Sequence, residues 1–497
     1  MKNSERGVPS SQCGSSSHTA EYEPLTGPET PTEMQPGDIL IDDDTASSQD
    51  DSDAPPFSWV DYGVFGFLGM AMLWAWNMFL AAAPYFESRF QGSPWIEANF
   101  QPTIMTVSTA TSLAVVLTLT KLQRAASYPF RIACGLIINA ATFALLTTST
   151  TVALGASPRA YFAFVLAMVA ATSVATGLLQ NGALAFAAGF GRPEYMQALV
   201  TGQSVAGVLP ALSELVSVLV FPARRERRAA AAPPAPRAEG KTSAFVYFLA
   251  AVAISVVAMV AMVPLVRHHK RNTEYRALNQ ADDDDDNDIT AAACDEDGEA
   301  LRKAVPMSVL FAKLQWLASG IALVFITTMF FPVFTAKIRS VNEPSSDTAA
   351  PSGGSAIFGP DAFIPLAFFF WNLGDFGGRL STALSAGRGL GANAGHGHGG
   401  RPRLLFKLAA LRVVQLPLYL LCNIGGRGAA VPSDVFYLLL VQAPFGFTNG
   451  WLCSRLMTSA GSWVEESERA AAGGFMGLCL MVGLAVGSVL SFSITGI

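Results

Sequence analysis

Residues 363–380 read FIPLAFFFWNLGDFGGRL, an apolar run that carries Asn372, Asp375 and Arg379 in its second half. Spacings of three and four put those side chains on one face of a helix. Ionisable groups inside a bilayer segment are costly and mark functional sites by default. An i,i+4 pair that only neutralised itself would gain little, since desolvating both charges costs about several kcal/mol per ion. A purely structural ion pair stays open as the alternative.

The rest of the chain says what surrounds this helix. Of 497 residues, 51% are hydrophobic and only 14% charged, with 33 Phe, which points to an all-α polytopic membrane protein. Counting apolar runs of about twenty residues, the length that crosses roughly 30 Å of hydrocarbon, predicts eleven transmembrane helices. They lie near 59–84, 102–120, 128–154, 159–189, 194–221, 243–266, 306–334, 360–384, 403–424, 434–460 and 469–495. A polar insert containing HHKR, DDDDDND and CDEDGE separates six helices from five. The expected organisation is a disordered acidic cytoplasmic tail over 1–56, an N-terminal bundle over 57–266, a charged cytoplasmic loop over 267–305 and a C-terminal bundle over 306–497. The tail sets twelve acidic residues against Lys2 and Arg6, a composition that does not collapse into a core.

Lys and Arg beside the helix ends place the N-terminus in the cytoplasm. Residues 222–242, with Arg224, Arg225, Arg227 and Arg228, count against that orientation. The membrane is expected to be the plasma membrane or a vacuolar or lysosomal one.

Several classes are excluded. The net charge of −6 is clustered in tails and loops, so no nucleic-acid footprint and no required protein partner is evident. Six scattered cysteines show no metal-ligand or disulfide-framework spacing. All five histidines, including the His396-Gly-His398 pair, are assigned to tails or loops, so no metal site or other cofactor is expected. There is no GxxxxGK[ST] loop, and the chain is read as a non-enzyme whose transport runs downhill or on an ion gradient.

Polar residues inside the spans are Trp76-Asn77, Gln180-Asn181, Gln203, Glu214, Lys313, Gln315, Arg412, Gln415, Asn423 and Asn449. A channel repeats one ring or filter, whereas a carrier gathers single donors and acceptors from several helices. Gly473 with Gly477 and Gly483 with Gly487 suit close helix packing. Prolines at Pro84, Pro210, Pro332, Pro417 and Pro444 suit bent helices.

The ordered segments resemble the equilibrative nucleoside transporter family, solute carrier family 29. They are WNMFLAAAPYF in the first span, Gln180-Asn181-Gly182 in the fourth and YMQALVTGQSVAGVLPAL in the fifth. FPVFT at 331–335, Asn372 through Arg379, FGFTNGWLCSRLM and AGGFMGLCLMVGLAVGSVLSF follow in the second half. The resemblance implies a major-facilitator-like 6+5 arrangement that moves nucleosides, with nucleobases as further candidates, by alternating access and facilitated diffusion. Proton-coupled symport, or a major-facilitator-type carrier of another small solute, are the alternatives. By resemblance Asp375 and Arg379 meet ribose, Gln180 meets the base edge, and Trp76 forms an aromatic wall with Leu80, where relatives often carry Met. Asn77, Gly202, Gln203 and Arg412 are implied as gating or pathway residues, with a tie between helices the alternative for Asn77, packing for Gly202, and snorkelling or pairing with another helix for Arg412. Glu214 is the candidate for proton coupling, or a carboxylate satisfied by a neighbouring helix.

Overall fold

The computed structural model describes residues 57–91, 93–122, 127–153, 155–220, 239–283, 305–342, 356–387 and 401–491. The acidic tail, the arginines at 224–228, the DDDDDND run and the glycine-rich stretch with His396 and His398 lie outside the described residues.

The first group of helices comprises α1 (Trp59–Ala81), α2 (Ala83–Phe90), α3 (Pro94–Lys121), α4 (Tyr128–Val152), α5 (Pro158–Gly189), α6 (Pro193–Val220) and α7 (Glu239–Asp283). Their starts follow local chemistry. Ser58 caps α1 by accepting from the Asp61 N–H at 3.2 Å, and Ser157 caps α5 by accepting from Ala160; proline stands in the first turn of α3, α4 and α5, where its missing N–H removes no helical bond.

The second group comprises α8 (Met307–Thr328), α9 (Phe330–Thr335), α10 (Pro360–Gly387), α11 (Pro402–Leu411), α12 (Leu416–Tyr419), α13 (Ala443–Ser459) and α14 (Arg469–Ser491). A 3-10 turn over Arg412–Gln415 joins α11 to α12, and a π turn over Phe436–Gln442 leads into α13.

Among the described residues, eight helices are long and apolar enough to cross a membrane, against the eleven expected. They match the first seven predicted spans and the last. The predicted spans at 360–384, 403–424 and 434–460 are helical as well, as the charge-bearing α10, the broken α11–α12 run, and the π turn with α13.

One difference concerns the sixth span. Its helix α7 continues to Asp283, well into the polar stretch that composition assigns to a loop. His268 and His269 therefore stand on a helix, where His268 Nδ1 meets Asp61 Oδ2 of α1 at 2.6 Å and His269 packs on Phe186 and Phe190.

Small residues set the tightest contacts. A Cβ on Gly69 would strike the Leu199 carbonyl, and one on Gly202 the Gly66 carbonyl, so α1 and α6 touch backbone to backbone. The same holds for α10 and α13, where a Cβ on Gly374 or Gly378 would strike the Ala443 or Phe447 carbonyl, and one on Gly446 or Gly450 the Trp371 or Asp375 carbonyl. Gly483 and Gly487 bring α14 against Ala322 and Ile326 of α8. Lipid offers apolar side chains no reason to leave it, and close backbone approach is what holds such helices together.

Contacts between the two groups gather at one end. There α3 and α5 finish and α6 and α14 begin: Gly473 abuts Leu184 and Ala188, Gly474 abuts Asn181, and α6 lies along α10.

Candidate functional site

The face of α10 is where the polar chemistry collects. Asp375 is 4% exposed and Arg379 5%, and Arg379 Nε donates to Asp375 Oδ2 at 2.9 Å, with Nη2 reaching Oδ1 at 3.5 Å. Asn449 of α13 donates its Nδ2 to the other side of that carboxylate at 2.7 Å. A carboxylate accepts only, so this bond fixes the amide's orientation. Asn449 Oδ1 then faces Thr328, whose hydroxyl donates to it at 2.6 Å.

Thr328 in turn accepts from Arg412 Nη1 at 2.9 Å. Arg412 is 2% exposed. Its remaining donors go to the Val324 carbonyl at 2.7 Å, the Phe445 carbonyl at 3.1 Å and Thr448 at 3.3 Å, and its guanidinium lies 4.1 Å from the Phe445 ring centroid. The snorkelling alternative fails on this geometry. A continuous polar chain thus runs from Arg379 through Asp375, Asn449 and Thr328 to Arg412, with one carboxylate set between two guanidinium groups. Burial strengthens each hydrogen bond in such a chain and equally raises the cost of orphaning any member.

Arg379 also joins the two groups of helices. Its Nη1 donates to the Val200 carbonyl of α6 at 2.6 Å, and Gln197 Nε2 of α6 donates back to the Arg379 carbonyl at 2.7 Å. The guanidinium is shared between its own carboxylate and the opposite group, a connection that must break if that end is to part.

The other expected residues spread along α1, α5 and α6. Asn77 donates to the Ala206 carbonyl of α6 at 2.6 Å, and Gln203 Nε2 approaches Met72 Sδ at 3.9 Å, so both meet the neighbouring helix. Trp76 is half-buried and stacks on Phe79 with centroids 5.8 Å apart, and Leu80 is exposed. Gln180 is buried where α5 meets Gly477 of α14. Gly202 is the backbone contact to α1 already described. Glu214 is exposed on α6 beyond Pro210, and it has an interaction partner.

The structure therefore gathers Asp375, Arg379 and Arg412 into one connected chain and leaves Trp76, Leu80, Gln180 and Glu214 apart from it. Sequence reasoning missed Gln197 and Thr328 and left Asn449 outside the site. An amide two residues after the Tyr195 of YMQALV was a readable signal for Gln197. Nothing in the sequence pointed to the Val200 carbonyl, because every residue has one. Among the described residues no group of three or more His, Cys, Asp or Glu side chains is placed to hold a metal ion.

Residues 166–495 match the family model described as Nucleoside transporter. The chain is 29% identical over 456 residues to "Nucleoside transporter FUN26" of Saccharomyces cerevisiae, an alignment covering 87% of this chain and 83% of that protein. It is 26% identical over 487 residues to "Equilibrative nucleoside transporter 2" of Homo sapiens, covering 88% and 98%. Among solved structures it resembles FucP, a major facilitator superfamily transporter in the outward conformation, with a TM-score of 0.50 and 13% identity over 87% of this chain and 91% of the other. At that identity the likeness speaks for the fold alone, a major-facilitator-type helical bundle.

Proposed function

The chain belongs to the nucleoside transporter family, and from that premise we propose that it carries nucleosides across a membrane by alternating access, as facilitated diffusion. It is a multi-pass membrane protein, with eight apolar helices of spanning length among the described residues. The organisation we infer is two bundles, 57–266 and 306–497, joined by the polar stretch 267–305, with a cytoplasmic N-terminus and tail. Plasma membrane and vacuolar or lysosomal membrane both suit it.

The observation that carries the reading is the double engagement of Arg379, on the Asp375 carboxylate at 2.9 Å and on the Val200 carbonyl at 2.6 Å. One side chain is both the counter-ion of a buried acid and the bolt between the two groups of helices. A carboxylate offers about four acceptor positions. Arg379 and Asn449 take three here, and the fourth suits a ribose hydroxyl. A sugar hydroxyl donating to Asp375 competes with Arg379 for the carboxylate, which loosens its hold on Val200 and favours opening at that end. Binding then shifts the conformational equilibrium because the ligand interacts differently with the two states.

In this reading Trp76 and Leu80 form apolar wall for the base, Gln180 supplies donor and acceptor to its edge, and Gly202 and Gln203 keep α6 close to the pathway. Arg412 supports Asp375 from behind through Thr328 and Asn449. The ligand is an uncharged nucleoside, and no cofactor enters.

The test is uptake of labelled uridine and adenosine by the purified protein in liposomes, at equal pH and under an inward proton gradient, beside Asp375→Ala. Saturable uptake indifferent to the gradient and absent from the variant is expected. Accumulation driven by the gradient would replace facilitated diffusion with proton symport and turn attention to Glu214. Failure of well-folded protein to move either nucleoside, or nucleobases, would overturn the assignment.

A further inference from the structure

Pro210 stands in the interior of α6. A proline has no N–H to give to the carbonyl four residues earlier, and its ring crowds that carbonyl. The carbonyl concerned belongs to Ala206, and it is the acceptor that Asn77 of α1 reaches at 2.6 Å. A carbonyl can only accept, so the amide must present its nitrogen. The donor that α6 lacks is thus supplied from the next helix.

The surroundings of this bond divide α6 in two. Before it, the helix is held: Gly202 touches the Gly66 backbone, Val200 accepts from Arg379, and Gln197 donates to the Arg379 carbonyl. At Gly207, a Cβ would run into Asn372 Oδ1 of α10, so the opposite group of helices bears on α6 one residue past the freed carbonyl. Beyond it Leu209, Leu212, Ser213, Glu214 and Val216 are exposed, with Ala211 and Leu215 buried on the other face and Glu214 engaged by a partner.

We propose that Ala206–Pro210 is a hinge of α6 and that Asn77 is its positioning residue, its amide standing in for the N–H that proline lacks. A backbone ladder bond at this point would keep the turns on either side coaxial. Proline removes that constraint and is one of the few established causes of sharp helix bending, while the bond from α1 sets the bend without stiffening the helix. Alternating access then moves the outer part of α6 about this point while the inner part stays with α1. This functional half rests on the transport reading above, whereas the pairing of Asn77 with Pro210 does not.

The experiment is a double-mutant cycle on the full-length protein with Asn77→Leu, Pro210→Ala and the two combined. It reads the thermal unfolding midpoint in detergent and the kinetics of uridine and adenosine uptake in liposomes. Asn77→Leu is expected to lower the midpoint and cut the maximal uptake rate about tenfold, the effect of one lost hydrogen bond to a buried group. Asn77→Asp, which replaces the donor by an acceptor of the same shape, is expected to do the same. Pro210→Ala restores the helical donor, so it should raise the midpoint yet slow maximal uptake at unchanged KM. In the double variant the midpoint penalty of Asn77→Leu should largely vanish.

Additive effects on the midpoint would overturn the pairing. Full uptake rate in a stabilised Pro210→Ala protein would overturn the hinge. Absence of uptake by the unsubstituted protein would count against the transport reading, while the midpoint cycle would still decide the pairing.

Discussion

The two helices that face each other across the middle of the molecule, α6 and α10, are built alike and held differently. Each has 28 residues and an interior proline, Pro210 and Pro365 respectively. Each also meets a parallel neighbour backbone to backbone at glycine, α6 through Gly202 against α1 and α10 through Gly374 and Gly378 against α13. On α6 the side chains that bond are neutral amides, Gln197 to the Arg379 carbonyl and Gln203 to Met72, and its backbone carbonyls accept from Asn77 and from the Arg379 guanidinium. On α10 the bonds run through ions, with Asp375 between Arg379 and the Asn449–Thr328–Arg412 chain. A neutral bond can be exchanged at modest cost, and a buried ion that loses its partner is stranded. The difference fits a helix that bends opposite one that anchors the site.

Removing the one carboxylate should therefore do more than any change on α6. Asp375→Ala leaves Arg379 and Arg412 buried without a counter-charge and is expected to cost about 3–5 kcal/mol, seen as a large drop in the detergent unfolding midpoint together with loss of uptake. Unchanged thermal stability in that variant would break the comparison at its root.

Next comes backbone contact. Gly202→Ala forces a methyl into the Gly66 carbonyl and should destabilise by about 1–3 kcal/mol, the usual range for overpacking. Gly63→Ala has open space around it and should stabilise by about 0.5–1 kcal/mol through helix propensity alone. Equal outcomes for the two substitutions in the same thermal assay would show that α1 and α6 are not in close register.

Asn449→Leu breaks the chain at its middle, leaving Thr328 and one oxygen of Asp375 short of partners. The expected cost is about 1–3 kcal/mol, with weaker uptake while the Arg379–Asp375 pair persists. An effect as large as that of Asp375→Ala would mean that Arg412 carries most of the compensation. The smallest effect belongs to Leu80→Met, an exposed position where stability should stay within about 0.5 kcal/mol and only the ratio of uridine to adenosine uptake should move.

Much of this was legible in the sequence. Helical spacing alone placed Asn372, Asp375 and Arg379 on one face, and the structure keeps Asp375 and Arg379 in direct contact. The glycine pairs of α14 pack as their spacing predicts. What escaped was of two kinds. Composition drew a loop at 267, where α7 continues, because a helix can run past its apolar stretch with a polar exterior. Asn449 reads only as a polar residue inside its span, because nothing in FGFTNGW says which helix its amide faces.

Local pattern thus determined the class of molecule, the polar face of α10 and the residues able to take part, since hydropathy and periodicity are properties of a segment by itself. Only the tertiary structure decided that Asp375 is linked through Asn449 and Thr328 to Arg412, that Arg379 reaches the Val200 carbonyl and that Asn77 serves the carbonyl that Pro210 leaves unmatched. Those are pairings between helices far apart in the chain, and a backbone carbonyl carries no mark in the sequence until packing brings a donor to it.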